Sequence, residues 1–268
     1  MTTICLTGST DGIGLAAART LLAGGARVLV HARSEQRGRP DVQALADRTA
    51  GQDGGGEVDL VVADLASLTQ VRALADRLRE EPLDVLVHNA GVWVRGSTPP
   101  LTDDGFETTF GVNVLAPHLL TALLAGHLGA RGGGRLVWLG SGMAGSGRLK
   151  PTALGGAREP RQAYADSKAA DVVLASVWGR RLGLPSAAVD PGWVRTKLAS
   201  AGAPGEVEQG ADTVAWCCTS APLADAPYWK DRAPLAVPGR LRDRGLQDAV
   251  AAACDRLVGL PPRDEPAA

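Results

Sequence analysis

Short aliphatic runs alternate with stretches of helical periodicity along the first 190 residues. The aliphatic runs lie at Thr3–Thr7, Arg27–His31, Val58–Ala63, Leu83–His88, Arg135–Gly140 and Ser186–Asp190. Apolar side chains recur at helical spacing over Ile13–Ala23, Leu68–Glu80, Phe110–Leu128 and Ala163–Leu182. Because the aliphatic runs are apolar throughout, they are typical of strands buried on both faces of a parallel sheet. The alternation predicts an α/β fold, with a doubly wound parallel sheet as the middle of three αβα layers.

The C-terminal part of the chain carries weaker signals. Tyr228–Lys230 predicts a short strand within a proline-rich stretch, and Gly245–Val258 predicts a closing helix. No second periodic block and no repeat of solenoid length occurs, so we expect a single domain over residues 1–260. The proline-rich, polar end Pro261–Ala268 predicts a disordered tail.

Charge and composition exclude several classes of function. With 28 basic and 29 acidic side chains, the chain has a formal net charge of −1 and no excess of positive charge with which to attract nucleic acid or an anionic membrane. No apolar run reaches the roughly 18 residues of a transmembrane helix, and no secretory signal precedes the first strand. We therefore expect a cytoplasmic protein, and the abundance of alanine, glycine and arginine is typical of a GC-rich bacterial genome. The cysteines and histidines form no metal-ligand pattern, so we predict no metal and interpret the cysteines as small buried side chains.

A glycine turn follows the first predicted strand. Gly8, Gly12 and Gly14 have the spacing G-x-x-x-G-x-G and lead into the first predicted helix. In a strand–turn–helix context, such glycines let the backbone approach a pyrophosphate at the helix N-terminus. The turn indicates a Rossmann-type dinucleotide site, and the alternative is that the glycines serve packing alone.

The end of the second predicted strand bears on the choice of dinucleotide. No carboxylate occurs before Glu35, although an acidic residue there would bind the ribose 2′-hydroxyl of NAD. Arg33 instead matches a 2′-phosphate in charge and geometry, so NADP(H) is favoured over NAD(H). The alternative is that Arg33 is a solvated surface side chain.

Candidate catalytic groups lie at the ends of strands and on one helix. Tyr164 and Lys168 are four residues apart and share a helix face, where an ammonium stabilises a phenolate. Ser141 follows a predicted strand, and Asn113 interrupts an apolar helix. Each has a structural alternative. Ser141 can be a loop residue, Asn113 a buried hydrogen-bonding group, and Tyr164 a residue of a helix face beside a lysine that extends its ammonium to solvent.

Together these residues resemble the classical short-chain dehydrogenase/reductase family, in an order that runs from Thr3 to about Thr196. The resemblance implies a catalytic tetrad of Asn113, Ser141, Tyr164 and Lys168. The cofactor site it implies consists of Gly8, Ser9, Asp11, Gly12, Ile13, Gly14, Arg33, Ser34, Asp64, Leu65, Asn89, Ala90, Gly91, Tyr164, Lys168, Pro191, Gly192, Val194 and Thr196.

Within the family, the chain resembles the retinol-dehydrogenase and protochlorophyllide-reductase-like branch. The resemblance lies in Ala32-Arg33-Ser34, in Pro191–Thr196 and in the gap of 23 positions between Ser141 and Tyr164. Two residues depart from common family patterns. Asp11 stands where NADP-preferring members often have arginine or lysine, and Asp190 stands where several subgroups have histidine, arginine or serine.

The implied reaction is hydride transfer between the nicotinamide and a carbonyl or alcohol carbon. Ser141 would polarise the substrate oxygen, and Tyr164 would exchange the proton as general acid or base. Lys168 would hold the nicotinamide ribose and favour ionisation of Tyr164, and Asn113 would fix a water that relays protons.

Apolar walls at Trp93, Met143 and Trp193 indicate an apolar small-molecule substrate, and the alternative is that Trp93 and Trp193 are ordinary packing residues. Two alternatives remain open at this point: reduction of the C=C bond of an enone, and a regulator that senses NADP without turnover. Family members commonly form dimers or tetramers through the helices that correspond to Phe110–Leu128 and Ala163–Leu182, so a homo-oligomer is the expected partner state.

Overall fold

A computed structural model describes residues 1–261 except 52, 53, 97, 131, 157, 200, 201 and 224–226. Apart from Pro261, the predicted disordered tail lies outside the described residues.

The described strands form one sheet. They are β1 Thr3–Leu6, β2 Arg27–Ala32, β3 Val58–Val62, β4 Val85–His88, β5 Arg135–Leu139, β6 Ser186–Val189, β7 Tyr228–Lys230 and β8 Ala233–Pro234. Their order is β3-β2-β1-β4-β5-β6-β7-β8, and every neighbouring pair is parallel except the antiparallel β7–β8. The strand order reverses between β1 and β4, which is where doubly wound sheets open a crevice. The predicted α/β fold is confirmed.

Helices cover both faces of the sheet. They are α1 Gly12–Ala23, α2 Glu35–Thr49, α3 Leu68–Arg79, α4 Thr108–Phe110, α5 Ala116–Leu124, α6 Pro160–Leu182, α7 Val207–Thr219 and α8 Arg244–Leu257. Helices α1 and α7 pack on one face, and α3, α5 and α6 pack on the other. Strand β1 shows why its run is apolar throughout, since Ile4 and Leu6 face one core and Cys5 faces the other.

Two helices carried too little periodicity to be recognised from the sequence. Helix α2 buries only Gly38 and Leu45 and contains Pro40, so its solvent-facing residues hide the apolar repeat. Helix α7, over Val207–Thr219, lies in a stretch for which the sequence predicts no helix. Both helices are stabilised by packing on the sheet rather than by a strong local signal.

The helix predicted over Phe110–Leu128 is not continuous. After α4, the residues Gly111–Leu115 form a π-helical segment, and α5 ends at Leu124. A π-helical turn widens the backbone and is often found at functional sites. Asn113 lies in the middle of this segment, so the local backbone change coincides with a predicted catalytic residue.

Helix α8 packs against α5 and α6, and its Val250, Ala251 and Cys254 share a core with Trp178. The chain itself therefore covers part of the helix surface expected to form dimers.

The cysteines Cys5, Cys217, Cys218 and Cys254 are free and buried, which confirms their interpretation as core residues, and burial raises the pKa of each thiol. Among the described residues, no helix combines the length and hydropathy needed to span a membrane.

Candidate active site

Two adjoining cavities open along the carboxyl ends of the central strands. The first, of about 470 Å³, is lined by the glycine turn, Arg33 and Asp64, and we call it the glycine groove. The second, of about 610 Å³, is lined by Ser141, Tyr164 and Lys168, and we call it the tyrosine cavity. The two share a wall that consists of Ile13, Asn89, Gly91, Leu139, Thr196 and Leu198. A ligand that fills both cavities would bring its far end to Tyr164.

Two glycines of the turn have conformations or neighbours that exclude a side chain. Gly8 has φ +64°, and a Cβ there would lie 2.8 Å from the Cα of Ala90. A Cβ on Gly14 would lie 2.5 Å from both the carbonyl oxygen of Gly8 and the Nδ2 of Asn89. Asn89 Nδ2 donates to the carbonyl oxygens of Thr7 and Gly8 at 2.8 and 2.9 Å. The end of β4 therefore holds the turn closed against the start of α1.

His31, at the end of β2, supports the same turn from the other side. Its Nδ1 accepts from the N–H of Gly8 at 3.0 Å, and its Nε2 donates to the carbonyl oxygen of Ala63 at 3.0 Å. These partners require the neutral ring, and burial lowers the pKa of His31 to about 4. Ser9 is fully buried beneath the turn, where its Oγ donates to Leu6 O at 2.6 Å and accepts from the N–H of His31 at 3.0 Å.

Acidification should destabilise the fold through His31. A histidine whose folded pKa lies below its unfolded value stabilises the fold fully above that unfolded value, and this contribution is lost as the pH falls toward the folded value. We expect the free energy of unfolding to fall by about 1–3 kcal/mol through His31 between pH ~6.5 and ~4. Urea unfolding at a series of pH values measures this loss. His31→Gln, whose amide can both donate and accept, should flatten the dependence; an unchanged slope would contradict the assignment. His88, whose pKa burial lowers to about 3, contributes to the slope in the same direction.

The far end of the glycine groove carries positive charge. Arg33 and Arg37 both line it and are exposed, whereas the neighbouring Glu35 is paired with Arg39 at 2.8 Å. Leu65 and Asp64 line the same end. Ser34 is the N-cap of α2 but does not line the groove.

Asp11 is occupied by contacts within the protein. Its carboxylate accepts from the N–H of Gly12 at 2.8 Å as the N-cap of α1, and it pairs with Lys197 at 2.7 Å. Lys197 thus brings a cation from the loop after β6 to the acidic position that departs from the family pattern.

Tyr164 lies in the first turns of α6, which begins at Pro160 with Glu159 as its N-cap. The Tyr164 ring stacks on Trp93 with ring centroids 4.8 Å apart and an interplanar angle of 12°. Burial raises the pKa of Tyr164 above its ordinary value, and Lys168 lowers it only in part. Lys168 thus lowers the pKa of Tyr164, as expected, but the opposite effect of burial is larger. Tyr164 therefore keeps its proton at neutral pH.

Lys168 is almost completely buried one turn further along α6. Its Nζ donates to the carbonyl oxygen of Leu139 at 2.8 Å and to Oδ2 of Asp171 at 2.9 Å, and it lies 5.8 Å from the centroid of the Tyr164 ring. A Cβ on Gly91 would lie 3.6 Å from this Nζ, so the bare backbone of Gly91 leaves the ammonium accessible from the cavities.

The side chain of Asn113 ties three segments together. Its Oδ1 accepts from the N–H of Val92 at 2.8 Å, and its Nδ2 donates to Val92 O at 2.9 Å and to the Oγ of Ser167 at 3.0 Å. Ser167 in turn donates to the carbonyl oxygen of Tyr164 at 2.8 Å. The π-helical segment, the loop after β4 and helix α6 are thereby held in fixed positions beside the tyrosine cavity.

Ser141 begins a 3₁₀-helix, Gly142–Ser146, at the end of β5. Its Oγ accepts from the N–H of Met143 at 3.2 Å, which leaves its own hydroxyl hydrogen available for donation. Tyr228 donates to the carbonyl oxygen of Ser141 at 2.9 Å. Asp190, buried on the wall of the cavity, accepts from the N–H of Gly192 at 3.0 Å and lies 3.7 Å from Lys230.

The structure brings most predicted site residues onto the two cavities. On the glycine groove lie Gly8, Asp11, Gly12, Ile13, Gly14, Arg33, Asp64, Leu65, Asn89, Ala90, Gly91 and Thr196. On the tyrosine cavity lie Ser141, Tyr164, Lys168, Pro191, Gly192, Val194 and the three apolar residues Trp93, Met143 and Trp193. Ser9, Ser34 and Asn113 lie behind these walls or beside them.

Four residues at the site were not predicted from the sequence: His31, Arg37, Ser167 and Asp171. Only His31 has a feature in the sequence that could have indicated a role, because it places a polar ring at the end of a strand that is otherwise apolar. Within the described part of the chain, no three His, Cys, Asp or Glu side chains come together as a metal site would require.

A comparison with protein families identifies the chain. Residues 2–205 match the model of the family described as short chain dehydrogenase. The chain belongs to the short-chain dehydrogenase/reductase family. This confirms the predicted family and the prediction that the protein is an oxidoreductase of that family.

Two relatives show which members of the family the chain is similar to. The chain is 35% identical to a Streptomyces protein named "Putative daunorubicin C-13 ketoreductase DnrU", over 96% of this chain and 92% of the relative. It is 37% identical to mouse retinol dehydrogenase 14, over 73% of this chain and 62% of the relative. The similarity to the retinol-dehydrogenase-like branch is therefore confirmed.

A solved structure bears on the fold and on the cofactor class. A short-chain dehydrogenase from Burkholderia cenocepacia, solved in complex with NADP, is 30% identical with a TM-score of 0.65 and covers 81% of this chain and 90% of its own. The fold of this chain is therefore shared with a protein that was solved with bound NADP.

Proposed function

We propose that this short-chain dehydrogenase/reductase uses NADPH to reduce the carbonyl group of an apolar small molecule, with Tyr164 as the proton donor. The observation that carries the proposal is the junction of the two cavities, where a groove shaped by glycines leads directly to a buried Tyr–Lys pair. The relative from Streptomyces supports carbonyl reduction, because its name describes a ketoreductase.

The glycine groove fits a dinucleotide in shape and in charge. The absence of side chains at Gly8 and Gly14 lets the turn pack tightly against Ala90 and Asn89. The closed turn lines the groove beside the N-terminus of α1, where the pyrophosphate of a dinucleotide would bind. Arg33 and Arg37 supply two cations at the far end, where the 2′-phosphate of NADP would lie. Pro191, Gly192, Val194 and Thr196 line the adjoining tyrosine cavity, where the nicotinamide would lie.

The tyrosine cavity then supplies the groups for the reaction. The chemistry that a bound NADPH supplies is transfer of a hydride to the carbonyl carbon. Ser141 donates a hydrogen bond that polarises the carbonyl oxygen, and Tyr164 donates the proton that the oxygen requires. Lys168 holds the nicotinamide ribose through its accessible ammonium, and Asn113 keeps the loop of Val92 and helix α6 in register.

The cavity walls favour an apolar substrate. Trp93, Met143 and Trp193 line the cavity, and Trp193 remains 56% exposed at its mouth. An exposed tryptophan at the entrance of a cavity is available to cover a bound apolar ring or chain.

Consumption of NADPH by the purified protein, measured with a panel of apolar ketones, aldehydes and enones, tests the proposed function. We expect turnover with ketones or aldehydes, and NMR of the product should show an alcohol. A saturated ketone formed from an enone would instead establish C=C reduction. Tight NADPH binding without turnover across the panel would favour the regulator, and absence of NADPH binding would refute the cofactor site.

Cofactor preference depends on the two arginines of the groove. Replacing both Arg33 and Arg37 by serine should raise the KM for NADPH by about 10–100-fold, the loss expected for charge-assisted hydrogen bonds to a phosphate, and should change the KM for NADH little. Steady-state kinetics with both cofactors measure the difference.

Arg39→Ser is the matched control, since Arg39 lies on the same helix as Arg37 but pairs with Glu35 and does not line the groove. Equal losses for NADPH and NADH in the double variant would contradict a 2′-phosphate site.

A further inference from the structure

A buried ion pair lies behind the candidate catalytic groups. Lys168 and Asp171 are one helical turn apart on α6, with Nζ and Oδ2 2.9 Å apart and side chains 4% and 5% exposed. Asp171 matches no residue of the implied tetrad and does not line either cavity. Its carboxylate nevertheless takes one of the three donors of the Lys168 ammonium, and Leu139 O takes a second.

A lysine this deeply buried keeps its charge only if a partner compensates for the lost hydration. Burial lowers the pKa of Lys168, but Asp171 and Tyr164 more than offset this, so the pKa of Lys168 lies above its ordinary value. Burial raises the pKa of Asp171 to about 6, with Lys168 acting in the opposite direction. At neutral pH both partners are therefore ionised.

Charged groups from several elements face Tyr164. On α6 these are Lys168, Asp171 and, at the wall of the cavity, Arg161. From the other elements come Asp190 after β6 and Lys230 on β7, which lies 3.7 Å from Asp190. Lys168 favours the phenolate, whereas the two carboxylates favour the phenol. Removing the charge of Asp171 alone would act on Tyr164 and Lys168 in the same direction, because both then lose their protons more easily.

We propose that Asp171 is a positioning residue, whose carboxylate holds the Lys168 ammonium beside Tyr164 and keeps both groups protonated until Tyr164 transfers its proton to the substrate oxygen. The proposal rests on the proposed function and extends the proton-donating machinery by one residue, which acts through Lys168 without touching the substrate.

Asp171→Asn tests this proposal, since asparagine keeps the shape and an acceptor for Lys168 but removes the charge. The alkaline limb of the kcat–pH profile for carbonyl reduction should move to lower pH by about one unit or more, while the KM for substrate changes little. Asp166→Asn is the matched control, because Asp166 lies on the same helix but contacts Arg158, Gln162 and the N–H of Arg148. Its pH profile should match that of the wild type.

A second readout needs no turnover. The chain has two tyrosines, so in a Tyr228→Phe background the alkaline absorbance change of tyrosinate reports Tyr164 alone. The midpoint should move to lower pH by about one unit when Asp171→Asn is added, with circular dichroism showing that the variant is folded over the titrated range. Asp171→Ser provides a second neutral side chain if the asparagine variant does not fold.

The outcomes separate the two proposals. An unmoved midpoint together with an unmoved alkaline limb overturns the role of Asp171, and Asp171 is then a structural hydrogen-bond acceptor. A wild-type protein that turns over no carbonyl substrate, but in which the tyrosinate midpoint still moves, overturns the proposed function and leaves the influence of Asp171 on Tyr164 intact.

Discussion

Tyr164→Phe is expected to lower kcat for carbonyl reduction by about 10³-fold or more, because general acid catalysis typically contributes 10²–10⁴-fold. The variant removes one oxygen and keeps the ring that stacks on Trp93, so the shape of the cavity is preserved. Affinity for NADPH should change little, since the groove that binds most of the dinucleotide is formed by other residues. Single-turnover kinetics and NADPH fluorescence titration measure the two quantities separately.

Tyr228→Phe is the control for this variant, because it removes the other phenol of the chain. Its hydroxyl donates one hydrogen bond to the carbonyl oxygen of Ser141, so we expect a loss within about tenfold. Comparable activity in Tyr164→Phe and the wild type would refute Tyr164 as the proton donor.

Gly14→Ala is expected to produce the largest loss of cofactor binding. The added methyl group would lie 2.5 Å from Gly8 O and from Asn89 Nδ2, so the turn and the end of β4 must separate. Overpacking of this kind typically costs about 1–3 kcal/mol of stability, and the distorted turn should weaken NADPH binding by about tenfold or more. Thermal unfolding with and without NADPH measures both effects.

Gly126→Ala is the matched control, since a Cβ at that exposed position meets no atom within 4 Å. It should change neither stability nor NADPH affinity appreciably. If Gly14→Ala binds NADPH as tightly as the wild type, the proposal that a tightly closed glycine turn is needed to bind the dinucleotide is wrong.

Elements buried on both faces or on a continuous apolar stripe were predictable from the sequence. Strand β1 and helix α3 follow from runs of apolar side chains at the period of each element. Helix α2 could not be found in this way, because it buries few residues and contains Pro40. The π-helical segment around Asn113 was also hidden, since a run of apolar residues does not distinguish an α-helical from a π-helical turn.

The candidate site likewise contains residues that could be predicted from the sequence and residues that could not. The glycines of the turn and the Tyr164–Lys168 pair have local signatures, either in spacing or in position after a strand. His31 has only its polar ring at the end of a buried strand as a signal, and Asp171 has none, because their partners lie on other elements or depend on how deeply α6 is buried. The direction of the pKa shift of Tyr164 could not be predicted from the sequence either, since burial raises this pKa by more than the adjacent lysine lowers it.

The sequence by itself determined the buried strands and the strongly periodic helices in their order, the position of the glycine turn and the identity of the groups that would carry the reaction. These depend on periodicity, backbone freedom and side-chain chemistry, which are local properties. Only the tertiary structure decided the protonation of His31, the burial of the Lys168–Asp171 pair and the junction of the two cavities at Tyr164. Each of these depends on distances and desolvation between residues far apart in the chain, and such quantities exist only once the sheet has brought those residues together.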